Sequence, residues 1–473
     1  MRAPAPIGRR ELLRGTAAAA AAALLPTHAG MAANPSPFPA GFVWGASSSA
    51  YQIEGAVAED GRGPSIWDRF SHTQGRIADG TNGDIACDHY HRWAEDVELL
   101  AAGGFGAYRF SVSWPRVLPL GDGAVNPRGL DFYERLVDRL LARRVSPWLC
   151  LYHWDLPQAL QDRGGWTNRD IAGRFADYAH VVARRLADRV RHWAMLNEPS
   201  VHAIFGHTLG VHAPGLTGWP NFVAAHHHQN LAQGLGLQAV RAERAGLSAG
   251  TVLSLQPVVP ATPKDIDRHA AERFDAVWNR AALDPLFKGK YPDVLAASFA
   301  PLVQAGDMAN IRQPVDFLGV NYYGRAHVVD DPNSPLSGAA FGPLPAGMPV
   351  TAMGWPIEPE GLIEVLDDLR RNYGNPKTFV TENGACFDDQ VAADGSVHDS
   401  ARLDFLRQHF AAAAEAIRRG CPLGGYFVWS LLDNFEWAEG VRRRFGIVRV
   451  DFATGARTRK DSYAGMTRFI TGA

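Results

Sequence analysis

Two glutamates of this chain stand where a carboxyl group can do chemistry. Glu198 follows the apolar run 192–197 and Glu382 closes the run 378–382, and each has an asparagine beside it, Asn197 or Asn383. A carboxyl at such a place can keep a proton, take one up or attack an electrophile, and its surroundings decide which. One strand-end glutamate by itself more often caps a helix or pairs with a cation. Two of them, each flanked by an amide and each ending an apolar strand, point instead to a working pair. Other polar and aromatic side chains close neighbouring runs in the same way: His153, then Asn321 with Tyr323, then Trp429 followed by Glu436 and Trp437.

Such residues converge only if the elements behind them do. Eight short β-rich runs, at 42–46, 107–114, 146–154, 192–197, 251–259, 316–323, 378–382 and 425–431, punctuate the chain. Between them lie amphipathic stretches at 94–102, 130–143, 171–187, 222–245, 270–283, 360–372 and 403–419, with apolar positions three and four apart. Strands and helices in this alternation predict an α/β fold, a single (β/α)8 barrel. Chemistry in that architecture sits where strands end and the next loops begin, which is where the residues above fall. No repeat, low-complexity segment or linker divides residues 34–473, and the Pro- and Gly-rich stretch 331–349 reads as an elaborated loop over the barrel mouth.

Composition closes off other classes. With 46% hydrophobic and 20% charged residues among 473, the chain is neither disordered nor collagen-like. Its 47 basic and 49 acidic residues leave a net charge of −2 and form no basic stripe, so no nucleic-acid partner is expected. The first 33 residues stand apart: Arg9 and Arg10, then a mostly Ala run at 16–25, then Pro26 and small residues to Ala33. That order predicts a twin-arginine-type export signal over 1–33, too short for a stable membrane anchor, and hence a periplasmic or extracellular protein. Without Arg2, Arg9, Arg10, Arg14 and Glu11 the balance is 43 basic to 48 acidic residues, a net charge of −5.

Neither metal nor cofactor is expected. Cys87, Cys150, Cys386 and Cys421 are too widely spaced for a zinc site or a cystine framework and read as buried fillers. A helix turns the consecutive His226, His227 and His228 to different faces, so they read as helix surface or inter-helix packing. No dinucleotide motif is present, which argues against a redox enzyme. Nothing in the sequence speaks to oligomeric state.

Seven segments together carry a resemblance. FVWGASSSAYQIEGA, YRFSVSWPRV, LYHWDLP, LNEP, DFLGVNYY, VTENG and WSLLDNFEWAEG follow one another between about Phe42 and Phe469, and in order and spacing the chain resembles glycoside hydrolase family one, the retaining β-glucosidases and their relatives. The resemblance implies double displacement, with Glu198 as acid/base and Glu382 as nucleophile, two carboxyls roughly 5–5.5 Å apart. It implies that Arg109, Tyr323 and Asn321 support the pair. Gln52, His153, Asn197, Glu436 and Trp437 match hydroxyl-binding positions, Asn197 serving the 2-hydroxyl, and Trp429 would lie beneath the sugar ring. Trp355, in MGW, is a candidate platform for the aglycone.

Two relatives sharpen this reading. The 6-phospho-glycosidases resembled by the family carry Ser and Lys in place of the EW of FEWAEG, and myrosinases carry Gln at the acid/base position; here Glu436, Trp437 and Glu198 are present. The expected substrate is therefore an unphosphorylated short β-glucoside or cello-oligosaccharide end. Transglycosylation, broader galactoside or fucoside specificity, a 6-phospho-glycosidase and a non-catalytic sugar-binding protein are the alternatives. Departures from the family pattern are small: Ser47 to Ser49, Pro356 after MGW, and Arg442 to Arg444, which bear on the charge of the cleft rim.

Overall fold

The computed structural model describes residues 37–472, so the export segment expected at 1–33 lies outside it. Eight parallel strands close into a barrel: β1 (Val43–Ser47), β2 (Ala107–Ser111), β3 (Ser146–Tyr152), β4 (His192–Asn197), β5 (Ser248–Ser254), β6 (Phe317–Asn321), β7 (Thr378–Asn383) and β8 (Leu423–Trp429). Each pairs with the next, and β8 returns to β1 through Val43 opposite Gly425. Helices α1 (His89–Ala102), α2 (Pro127–Ala142), α3 (Ile171–Leu186) and α4 (Trp219–Glu243) follow the first four strands. Then come α5 (Asp265–Asp275), α6 (Glu360–Asn372), α7 (Ser400–Arg418) and α8 (Asp461–Thr471). The (β/α)8 expectation holds.

Side chains fill the barrel rather than leaving a pore. Trp148 on β3 meets Phe317, Phe379 and Phe427 with ring centroids 5.4, 4.7 and 5.1 Å away, while Ala107 and Ala194 make room on the strands to either side of it. This plug is the floor on which the polar layer above it stands.

Two breaks in strand register aim that layer. Ala194 and Phe379 face the interior, so strict alternation would turn the residues three further on, Asn197 and Glu382, outward. The pairing slips between Ala194 and Asn197 on β4 and between Val380 and Glu382 on β7. Each slip restores the inward direction where a strand ends. Close approach fixes the next step: a Cβ on Gly384 would fall 1.7 Å from the Trp429 carbonyl oxygen, so only glycine lets the chain after β7 pass the end of β8.

Several boundaries move. The second run, expected through Trp114, stops at Ser111 because Pro115 starts a short helical turn, Trp114–Val117. The fifth begins at Ser248 and ends at Ser254; Val258–Pro260 leaves the barrel to pair with Ala326–Asp330, which also pairs with Ala339–Phe341. That small sheet spans the start of the loop expected over the mouth. His226, His227 and His228 are all buried, so the inter-helix reading stands and the helix-surface one falls. His227 bonds Tyr291 and Asp307, His228 meets the Trp166 carbonyl, and His226 stacks on Phe222. All four cysteines are free and buried. Among the described residues no helix is long and apolar enough to cross a membrane, and no cluster of His, Cys, Asp and Glu has the geometry of a metal site.

Candidate active site

At the C-terminal ends of the strands lies a cleft of about 530 Å³, and its wall includes Glu198, Glu382 and Glu436. All three are buried, with 5%, 3% and 8% of their surface exposed. A carboxylate taken out of water is costly unless it is paired. The fate of each therefore depends on its partners.

Glu382 has the best ones. Arg109 Nη1 donates to its Oε1 at 2.6 Å and Tyr323 OH donates to its Oε2 at 2.8 Å, which fixes both oxygens. Burial pushes the Glu382 carboxyl up, but the guanidinium charge and these donors oppose that push. Glu198 meets neutral donors instead, Asn321 Nδ2 at 2.9 Å and the Ser254 hydroxyl. Burial, reinforced by the nearby Glu382 charge, pushes it up to about 8. The order of ionisation follows: Glu382 loses its proton first, and Glu198 keeps its own near neutrality. Of the two, Glu382 is the better supported as an oriented anion and Glu198 the better suited to keep a proton, an inequality that acid and nucleophile chemistry on a glycosidic bond requires.

Asparagines tie the two together. Arg109 Nη2 donates to Asn197 Oδ1 at 2.6 Å, and Asn321 Nδ2 reaches the same oxygen at 3.1 Å while also holding Glu198. Thr381 Oγ1 donates to Asn321 Oδ1 at 2.7 Å, which sets the direction of that amide. Because Asn197 Oδ1 receives two donors, its NH2 faces His153 Nε2, 3.1 Å away. Nε2 is then the acceptor and Nδ1 carries the hydrogen, with no partner among the described residues. Burial and the Arg109 charge hold His153 well below the usual histidine range, so it is neutral.

Indoles form the rest of the inner wall. Trp437 packs against Trp67 and Trp154 with centroids 4.6 and 4.7 Å apart and stacks on Tyr51 at 6.3 Å; Trp429 stacks on His153 at 5.9 Å. Three residues here adopt left-handed backbone, Trp154 (φ 77°), Glu198 (φ 49°) and Trp437 (φ 51°). Such conformations cost roughly 1–3 kcal/mol each and persist where the surroundings over-determine them.

Eight of the expected site residues lie on the cleft wall: His153, Glu198, Tyr323, Trp355, Glu382, Trp429, Glu436 and Trp437. Arg109, Asn197 and Asn321 sit directly behind it, joined to the two glutamates by the bonds above. Gln52 also lies behind. Its Nε2 donates to Asn434 Oδ1 and the Phe435 carbonyl at 3.0 Å each and approaches Glu436 Oε2 at 3.4 Å, while its Oε1 accepts from Ser49. The structure thus gives Gln52 the role of holding the Glu436 segment, beside the hydroxyl contact expected of it. Glu436 is pushed up to about 8 by burial and by the charges of Glu382 and Glu198.

Some contributors were not singled out from the sequence. Trp154, inside the HWDLP segment, donates from Nε1 to the Asn197 carbonyl at 2.9 Å; being next to His153 was the available signal. Thr381 was legible only as the neighbour of Glu382. His212, Gln256 and Leu344 from loops, and Phe341 from the end of the strand Ala339–Phe341, line the outer cleft and carried no signal of their own. The arginine run is held in place by its neighbours: Arg442 and Arg443 share Glu439, at 2.5 and 2.9 Å, and Arg444 holds Asp433 and the Val450 carbonyl.

A parallel barrel with two unequally supported glutamates facing one cleft is the architecture of a hydrolase that cleaves glycosides. The chain belongs to glycosyl hydrolase family 1, whose profile matches residues 34–472. It is 48% identical over 432 residues to the 1,4-beta-D-glucan glucohydrolase of Thermotoga neapolitana, covering 90% of this chain and 96% of that protein. Its fold matches the psychrophilic beta-glucosidase BglU of Micrococcus antarcticus with a TM-score of 0.89 at 44% identity, over 92% of this chain and 98% of the other. It also matches the beta-glucosidase of Thermotoga maritima in complex with deoxynojirimycin, TM-score 0.88 at 45% identity, over 92% and 98%.

The Arg109 bridge yields a directional test. Lysine cannot span Glu382 and Asn197 as the guanidinium fork does. Arg109→Lys should lower kcat by about a hundredfold or more, the scale seen when one electrostatic donor to a reacting centre is lost. It should also move the acidic limb of the kcat/KM profile to higher pH, because Glu382 loses part of what keeps it ionised. The alkaline limb, set by the carboxyl pair near the value of about 8 at Glu198, should move less. An acidic limb that stays in place would remove Arg109 from this role.

Proposed function

We propose that this chain is a retaining β-glucosidase that releases terminal β-D-glucosyl residues from short β-glucosides or cello-oligosaccharide ends. The observation that carries the reading is the unequal support of the two glutamates: cation and phenol on Glu382, a neutral amide on Glu198. Glu382 attacks the anomeric carbon as Glu198 gives its proton to the departing oxygen; water, deprotonated by Glu198, then displaces the sugar from Glu382. Asn197, held by Arg109 and Asn321, is placed to strengthen a contact to the 2-hydroxyl as charge develops. Trp429 supplies an apolar face, and Glu436 with Trp437 supplies polar groups for the far rim of the ring. The names of the relatives, glucohydrolase and beta-glucosidase, support the glucosyl choice.

A 2-deoxy-2-fluoro-glucoside should inactivate the enzyme and label Glu382; mass spectrometry that places the label on another peptide would sink the assignment. Glu198→Ala should harm substrates with poor leaving groups far more than activated ones, and azide should restore turnover of the latter. An equal loss on both kinds would exclude Glu198 as the acid.

Glu436 bears on phosphorylated sugars. Burial first, and then the Glu382 and Glu198 charges, push Glu436 up to about 8, and a 6-phosphate placed beside it would add further negative charge to this buried acidic cluster. Glu436→Ser should lower kcat/KM for an aryl β-glucoside by about tenfold or more, the loss of one or more buried hydrogen bonds, and narrow its lead over the 6-phosphoglucoside. A wild-type preference for the phosphorylated substrate would overturn the glucosidase reading in favour of a phospho-glycosidase.

Export is part of the same proposal, supported by Arg9, Arg10 and the Ala-rich run behind them. Replacing both arginines by Lys should leave full-length protein in the cytoplasm. Equal export of the double variant would show that the segment is not of the twin-arginine type.

A further inference from the structure

One buried carboxyl beside the site takes no part in the chemistry described above. Asp155 follows Trp154 in the loop after β3; it is wholly buried, and neither of its oxygens makes a regular hydrogen bond among the described residues. Ser113, in the loop after β2, is buried too, and its Oγ also lacks a regular partner. The Ser113 hydroxyl lies close enough to act on the carboxyl, so two unsatisfied groups from neighbouring strand ends face each other.

No cation is free to hold an anion there. Arg62 acts on Asp155, but its guanidinium is spent on Asp68 at 2.8 Å and on the Val57 and Gly63 carbonyls. Glu54, bound by Arg116 Nε at 2.9 Å and by the Tyr133 hydroxyl at 2.6 Å, opposes a second negative charge. The phenols of Tyr152 on β3 and Tyr178 on α3 are buried and would meet that charge as well. Burial pushes the Asp155 carboxyl up to about 8, and the hydroxyl and Arg62 oppose this only in part. The loop it belongs to serves the cleft. Trp154, in left-handed backbone at φ 77°, donates from Nε1 to the carbonyl of Asn197, the residue before Glu198, and His153 meets the Asn197 amide at 3.1 Å. Such backbone persists where its surroundings over-determine it. On the far side of Asp155 the Leu156 carbonyl is fixed by Ile66 N at 2.8 Å.

We propose that Asp155 is a positioning residue that works as a neutral acid: its protonated carboxyl and the Ser113 hydroxyl pin the loop of His153 and Trp154 to the loop after β2, and loss of that proton loosens Trp154 from Asn197. The link to turnover rests on the β-glucosidase reading, in which Asn197 and Glu198 act on the sugar. The link to stability does not. Folding takes up a proton at Asp155, so the stability it lends is complete in acid and is lost as the pH rises to about 8.

Asp155→Asn keeps the shape of the side chain and cannot ionise. Between pH 5 and pH 9 its melting temperature should fall by less than that of the wild type. The alkaline limb of kcat/KM for an aryl β-glucoside should be shallower in the variant by about tenfold per pH unit, because one proton fewer has to be kept. Ser113→Ala removes the hydroxyl that favours the anion and should move the wild-type decline in melting temperature to higher pH. Parallel melting series in wild type and Asp155→Asn would overturn the proposal, as would an alkaline limb of unchanged steepness. A variant destabilised equally at every pH would reduce Asp155 to a structural filler. An unmoved decline in Ser113→Ala counts against the proposal even where Asp155→Asn fails to fold. The melting series needs no substrate, so failure of the β-glucosidase reading, seen as no turnover of any β-glucoside, is told apart from failure of this inference.

Discussion

Glu198, Glu382 and Glu436 lie buried on one wall of the cleft, and among the described residues the guanidinium of Arg109 is hydrogen-bonded to one of them, Glu382. That imbalance organises the site. One positive charge can keep one carboxylate ionised at modest cost, and the geometry awards it to Glu382. Burial, and then the charge of an ionised neighbour, pushes both Glu198 and Glu436 up to about 8. In the proposed mechanism Glu198 is thus the acid because it is buried with neutral donors while the cation sits on Glu382. The same arrangement makes the site responsive to its own chemistry. On that mechanism, once Glu382 is bonded to the sugar its charge is gone and part of the pressure that held the proton on Glu198 falls, so the acid of the first step can serve as base in the second.

Holding three such groups within reach of one another requires a rigid frame around them. The frame has three parts. The aromatic plug centred on Trp148 supports the polar layer from below. Above it, the register slips on β4 and β7 direct Asn197 and Glu382 inward. At the rim a buried ionic lattice ties the loops after β7 and β8: Lys460 Nζ bonds Asp389 at 2.5 Å and Asp433 at 2.8 Å, and Arg402 bonds Asp389 at 2.9 Å. Asp433 lies three residues before Glu436, so this lattice anchors the segment that carries Glu436 and Trp437. Breaking a buried pair costs about 3–5 kcal/mol because the remaining charge has no solvent to turn to. Left-handed backbone at Glu198 and Trp437 is strain that such anchoring can sustain.

The sequence carried the barrel and the inner cleft for a common physical reason. Strand and helix periodicity is local, and the residues that matter close strands, so an alternation of eight runs located both. What was not local was not legible. A register slip is a relation between two strands, and nothing in TFVTEN announces that Glu382 points inward three residues after Phe379. The resemblance gives Gln52 as a hydroxyl contact, and the bonds of its amide to the distant segment 434–436 are a further role that the sequence did not announce. The arginines at 442–444 left the charge of the rim open, and their bonds to Glu439, Asp433 and the Val450 carbonyl are equally distant from any local signal. The histidine run and the fifth strand show the same limit: which side chains are buried, and where Val258 leaves the barrel, depend on helices and loops far away in the chain.

Inner and outer halves of the cleft therefore obey different rules. The inner groups stand on strand ends and are hydrogen-bonded in sequence, from Tyr323 through Glu382, Arg109, Asn197 and Asn321 to Glu198, so a change at one position alters the charge and direction of the next. Coupled buried groups of this kind respond as a unit, and substitutions among them are not additive. The outer groups stand on the segments between barrel strands and helices, several are half exposed, and the charges among them are paired with one another. A substitution there changes the area offered to a ligand without disturbing an ionisation equilibrium. Because the two halves meet only at the scissile bond, the barrel can keep one mechanism while its loops choose what leaves with the departing oxygen.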